Sequence, residues 1–151
     1  MTKFVWTEQF NLGIEVIDEQ HRKIMEYVNQ LQYARASGKP RKEIGKLVDQ
    51  LVEYIIFHFD FEESLQEKVG YPYLKPHQKT HALIARQIND FKARFDKGED
   101  FSANVDGMLK TWLFDHLKHD DADFVGSVKE KLRLDPDFLT EKKGLFARLF
   151  K

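Results

Sequence analysis

Apolar residues recur at three- and four-residue spacing along four long stretches of this chain, the pattern of amphipathic helices that share one core. In the first stretch Ile24, Val28 and Leu31 form the apolar face. Asp18 suits its N-cap, and Gly38, Lys39 and Pro40 end it near Ser37. The second runs from about Arg41 to Val69, with Ile44, Leu47, Val48, Leu51, Ile55 and Leu65 on its stripe, and Gly70-Tyr71-Pro72-Tyr73 forms a turn after it. Pro76 suits the first turn of a third helix that reaches about Lys97 and turns Ile84, Ile88, Phe91 and Phe95 inward. A fourth spans about Ser102 to Lys131, with Val105, Leu109 and Trp112 inward. Residues 1–17 form an arm in which Trp6, Phe10, Ile14 and Ile17 are widely spaced and Gly13 interrupts them. Long helices joined by short loops predict an all-α fold, an antiparallel up-down-up-down four-helix bundle over residues 1–131. An amphipathic basic extension with a short helix comes after it, over 132–151.

Each stripe also carries polar residues that can ligate metal. His21 is in phase with the first, His58 and Glu62 with the second, His77 and His81 with the third, and His116 with the fourth, followed by Asp120 and Asp121. Burying imidazoles and carboxylates is costly unless something compensates them. Antiparallel topology brings all of these positions to one end of the bundle, where a shared metal cluster would compensate them together. Residues four apart differ by about 40° around a helix, so His58 with Glu62, and His77 with His81, each form a two-toothed clamp. Imidazole suits iron, copper, zinc and nickel, and a carboxylate can bridge two ions. Two octahedral irons offer twelve positions. Five histidines, two bridging carboxylates and one bridging oxygen fill eleven and leave one for a small ligand. Taken singly, an HxxxH or HxxxE pair is as readily a core or surface feature. The remaining histidine, His119, reads as solvated or as supporting a ligand.

Composition narrows the function further. The 151 residues carry a formal net charge of −1 with no basic stripe, which argues against nucleic-acid binding. There is no cysteine, so disulfides and thiolate metal sites are excluded. No signal peptide is evident and no stretch has the roughly 20 apolar residues of a bilayer span, so a soluble cytoplasmic protein, expected as a monomer, is the default. Thirteen phenylalanines fit core packing and equally a dry lining around a reactive centre. Ile24, Met25, Phe59, Phe61 and Trp112 are the candidates for that lining.

Several stretches carry a family resemblance. They are Trp6; Gly13-Ile14-Glu15-Val16-Ile17-Asp18-Glu19-Gln20-His21; His58-Phe59-Asp60-Phe61-Glu62-Glu63; His77-Gln78-Lys79-Thr80-His81; and Trp112-Leu113-Phe114-Asp115-His116 with Asp121. Over residues 1 to about 131 the chain resembles the hemerythrins, most closely the single-domain bacterial ones. The resemblance implies two iron ions joined by an oxo or hydroxo bridge, with dioxygen as the ligand. It places His77, His81 and His116 on one iron, His21 and His58 on the iron with the open position, and Glu62 and Asp121 as bridges. Helix arithmetic alone prefers Asp120, four residues after His116, because a five-residue step is about 140° out of phase. A π-bulge would bring Asp121 inward, and Asp120 remains the reserve.

The implied function is reversible dioxygen binding by an oxygen carrier, store or delivery protein, without catalysis. A sensor of dioxygen, iron or redox state is one alternative. A ferritin-like di-iron oxidase or peroxidase is the other, and five histidines against two carboxylates argue against it. In the extension, Leu145, Phe146, Leu149 and Phe150 fall on one side of a basic helix. Residues 138–151 therefore suit either a tail docked on the bundle or an attachment to a membrane surface or partner protein.

Overall fold

The computed structural model describes residues 4–99, 102–116 and 121–139; the side chains of 102–106 and 121–122 also lie outside that description. Every regular element among the described residues is helical: α1 (Glu15–Ala36), α2 (Arg41–Val69), α3 (Leu74–Asp96), α4 (Ser102–Asp115) and α5 (Asp121–Leu134). A short 3-10 turn, Glu8–Phe10, precedes them. α1 packs on α2, α2 on α3, and α4 on α1 and α3, while α5 continues along α2. This is the four-helix bundle expected from the apolar stripes. Its longest rod, α2, has 29 residues and extends about 43 Å.

Two boundaries differ from those read in the sequence, the start of α1 and the end of the fourth helical stretch. α1 begins at Glu15 with Ile14 in the capping position, so Asp18 stands inside the helix and not ahead of it. Its carboxylate instead turns back and accepts the N–H groups of Leu12 (2.9 Å) and Gly13 (3.2 Å), tying the arm to the first helical turn. α3 begins at Leu74, which makes Pro76 its third residue, still within the turn that needs no intrahelical N–H. The expected fourth helix is described as α4 and α5, with residues 117–120 outside the described set. α5 ends three residues beyond the expected Lys131.

The arm is more embedded than its wide spacing of apolar residues suggested. Asn29 exchanges two hydrogen bonds with the backbone of Phe4, at 2.7 and 2.8 Å, and Phe10 is buried in the core. α2 ends at Gly70, which adopts φ +68°, and the Tyr71 N–H closes back on the Gln66 carbonyl. At the far end Arg41 lays its guanidinium 4.0 Å from the Phe95 ring centroid and donates to the carbonyls of Phe95 and Glu99. That contact fastens the start of α2 to the C-terminus of α3.

The buried apolar residues form two clusters. The larger includes Phe10, Ile24, Val28, Leu31, Val48, Leu51, Ile55, Phe59, Ile88, Leu109 and Leu113. The smaller includes Ile14, Val16, Ile17, Phe61, Leu65, Tyr71, Phe124 and Val128, with Phe138 and Leu139 of the extension half-buried against it. Along three of the four rods the chain passes from one cluster to the other across a buried polar residue. The order is Ile17–His21–Ile24 on α1, Ile55–His58–Glu62–Leu65 on α2, and Leu113–His116–Phe124 across α4 and α5. The polar positions thus form a layer between two apolar clusters, and apolar packing continues beyond them toward the end of the bundle.

Candidate metal centre

His21, His58, Glu62, His77, His81 and His116 are all buried, and four of the six have no exposed surface. Glu62 is the hub. Its Oε1 lies 2.9 Å from His58 Nε2, 3.2 Å from His116 Nε2 and 3.3 Å from His21 Nε2. Its Oε2 faces the other way, 3.3 Å from His81 Nε2. Oε1 therefore addresses three imidazoles and Oε2 a fourth, a disposition that suits a carboxylate spanning two ions.

Two overlapping donor sets result: His21, His58, Glu62 and His116, and Glu62, His77, His81 and His116. In each, one ligand atom per residue lies within 4.8 Å of the others. In an octahedral shell with bonds of about 2.1 Å, neighbouring donors stand about 3 Å apart and opposite ones about 4.2 Å. The spacings fit that shell. His81 Nε2 and Glu62 Oε2 also have no hydrogen-bond partner although both are buried, as expected of atoms whose partner is a metal. His116 belongs to both sets.

Electrostatics agree with this. Burial alone would raise the pKa of Glu62, but the His58 and His116 imidazoles beside it, with hydrogen bonds from His116 and His21, hold its carboxyl well below the usual range. For His58 burial dominates and pushes the imidazole down to about 4, against the pull of Glu62. A neutral imidazole and an ionised carboxylate are the protonation states that metal binding requires.

Three further side chains hold the outer nitrogens of the rings. Gln20, fully buried, accepts from His58 Nδ1 at 2.7 Å. An amide oxygen can only accept, so Nδ1 carries the proton and Nε2 offers its lone pair inward. Glu63 stands 3.2 Å from His81 Nδ1. Gln66 abuts His77 Nδ1 through its amide nitrogen, while its own Oε1 is buried without a partner. Turning that amide by 180° lets Oε1 accept from Nδ1–H, which satisfies the oxygen and leaves His77 Nε2 to a metal. None of these three was singled out from the sequence. Gln66 had a signal, since it continues the four-residue steps of His58 and Glu62.

The lining is aromatic. Phe59 stacks on His81 at 4.0 Å and 9°, Trp112 stacks on His116 at 4.9 Å, and the Phe59 and Trp112 rings meet edge to face. Ile24, Met25 and Phe61 are also buried, but Phe61 belongs to the smaller apolar cluster. On that side Phe124 and Tyr71, both missed in the sequence, lie 5.9 and 6.5 Å from the His77 ring.

The second carboxylate expected at the centre is Asp121. It opens α5, and its side chain lies outside the described residues, as do Asp120 and His119 entirely. The backbone at His116 makes a π-helical turn. Such a turn takes up one extra residue, which shifts the helical phase of the residues after it.

A helical bundle whose buried middle layer is five imidazoles around one shared carboxylate defines a non-heme protein built for a pair of metal ions. Residues 12–127 match the hemerythrin HHE cation binding domain. The chain is 39% identical over 132 residues to a bacteriohemerythrin of Pseudomonas aeruginosa, covering 87% of this chain and 86% of the relative. It is 31% identical over 119 residues to one of Methylococcus capsulatus, covering 78% and 90%. A crystal structure of wild-type hemerythrin superposes with a TM-score of 0.79 at 28% identity, covering 83% of this chain and 98% of that one. The chain belongs to the hemerythrin family, and it is a dioxygen-binding di-iron protein.

Proposed function

We propose that this protein binds dioxygen reversibly, as a carrier, store or delivery protein, and does not turn it over. His77, His81 and His116 would hold one iron and His21 and His58 the other, with Glu62 and Asp121 as bridges. The observation that carries this reading is the environment of Glu62, whose Oε1 faces His21, His58 and His116 and whose Oε2 faces His81, with His116 common to both donor sets. When bound, the pair of irons supplies the two electrons that dioxygen draws on. The protein's part is to hold the imidazoles neutral, to keep Glu62 ionised, and to exclude water. Phe59 and Trp112 serve the last role by covering His81 and His116. A donor set so rich in neutral imidazole stabilises high-valent iron less than a carboxylate-rich one, which favours carriage over oxidation chemistry.

No helix among the described residues is long and apolar enough to cross a membrane. We place the protein in the cytoplasm as a monomer, with residues 138–151 either a tail docked on the bundle or its attachment to a membrane surface or partner protein. Phe138 and Leu139, at the root of that segment, rest on the smaller apolar cluster, and residues 140–151 lie outside the described set. The deciding measurement is iron per chain together with the visible spectrum under dioxygen and under vacuum. Two irons and a band that disappears on evacuation and returns with air are expected. Rapid peroxide consumption with turnover would transfer the protein to the oxidase class.

A further inference from the structure

The three groups that hold the outer nitrogens of the imidazoles are not alike. His58 is backed by Gln20, and His77 by Gln66, both neutral amides and both fully buried. His81 is backed by Glu63, a carboxylate whose side chain retains 23% exposure. A hydrogen bond from an imidazole N–H to a carboxylate is charge-assisted, and it makes the opposite ring nitrogen a stronger donor than an amide does. We propose that Glu63 is a positioning residue that makes the two irons unequal, by enriching the His81 imidazole and lowering the reduction potential of the iron it holds. The proposal rests on the ligand assignment given under Proposed function.

The geometry supports an electronic role beyond simple support. Phe59 lies flat on the His81 ring at 4.0 Å and already fixes its plane, so Glu63 is not needed to hold that plane; a ring turned over by 180° would keep the stack, and the contact with Glu63 selects between the two orientations. What Glu63 adds is a choice of tautomer and a charge. With Nδ1–H directed at Glu63, the Nε2 lone pair faces Glu62 and the metal. The partial exposure of Glu63 lets solvent stabilise its charge, which a fully buried carboxylate at the Gln20 or Gln66 position would lack. Of these three backing positions, the chain places the charge at the one that borders solvent.

The test compares wild type with Glu63→Gln, Glu63→Asp and, as control, Asp60→Asn, which removes an exposed carboxylate from the same helix. Glu63→Gln keeps the length and an acceptor oxygen and removes the charge. It should load two irons, titrate to the reduced state at a more positive potential, and need about tenfold more dioxygen for half-saturation. Glu63→Asp should fall between wild type and Glu63→Gln, and Asp60→Asn should match wild type. In the iron-free protein, the His81 Nδ1–H proton should resonate downfield and move upfield in Glu63→Gln, a readout that does not depend on the metal. A wild-type protein that takes up no iron would defeat the ligand assignment. Full loading of Glu63→Gln with potential and affinity unchanged would defeat the role of Glu63 alone. Should Glu63→Gln not fold, a Glu63→Ala protein that loads two irons with wild-type potential would do the same.

Discussion

Glu62 has no exposed surface, so nothing but its neighbours can make its charge tolerable, and those neighbours are imidazoles that are themselves buried. Without metal this arrangement is sensitive to acid. His58 titrates near 4 in the fold and near 6.5 in the unfolded chain. Between those values the unfolded state takes up a proton that the folded state refuses, so stability falls as pH is lowered from 6.5 toward 4. Glu62, depressed in the fold, adds to the loss once its unfolded counterpart begins to protonate. At neutral pH neither group contributes a slope. Urea midpoints of iron-free protein between pH 7.5 and 4.5 should be flat above about pH 6.5 and decline below it. A rise on acidification would contradict the burial of a neutral His58. Replacing His77 with Ala should sharply lower iron content, and full loading of that variant would remove His77 from the ligand set. The burial of six of the seven expected ligands was legible because imidazole and carboxylate fell on apolar stripes. The groups behind them were harder to see. Glu63 lies one residue off the Glu62 stripe, so no periodicity marks it, and only the packing of α2 on α3 shows which ring it meets.

At the scale of the element, the sequence located α2 well because its apolar stripe is long and Gly70 ends it with a left-handed turn. It misplaced the start of α1 because an Asp ahead of an apolar stripe reads as a cap, whereas Asp18 works backward from inside the helix. That inversion depends on Gly13. Its φ is +91°, and a Cβ there would sit 2.9 Å from Lys129 Nζ. The lysine end can move, but the backbone conformation is unfavourable for any other L-residue. Gly13→Ala should therefore cost about 1–2 kcal/mol in chemical denaturation and loosen residues 4–14, read as faster amide exchange at Leu12. Unchanged stability and exchange would mean that the turn relaxes without the Asp18 contacts. The π-helical turn at His116 shows why the fourth helix was the hardest to phase from sequence. A regular 3.6-residue repeat favours Asp120, and the repeat is not regular there.

For the molecule as a whole, the bundle and the convergence of its histidines followed from four amphipathic stretches and short loops. That the polar layer would lie between two apolar clusters did not, because Phe124, Tyr71 and the arm close over it from segments with weak periodicity. Ligation stabilises such a fold by mass action, by about 2.7 kcal/mol when free metal is a hundredfold above its dissociation constant. The benefit is unevenly shared. α1 and α2 are anchored by many buried apolar side chains, but the buried residues of α3 are only His77, His81, Ile88 and Phe95. Removing iron should leave the first half of α3 the fastest-exchanging helical segment among the described ones, measured by hydrogen–deuterium exchange, and uniform protection would refute this. Two of the four residues that fasten α3 are the same ones that grip the metal. A cell short of iron would then hold a chain with one stave of its barrel loose, and a chaperone or protease could tell the empty protein from the loaded one without ever reaching the centre.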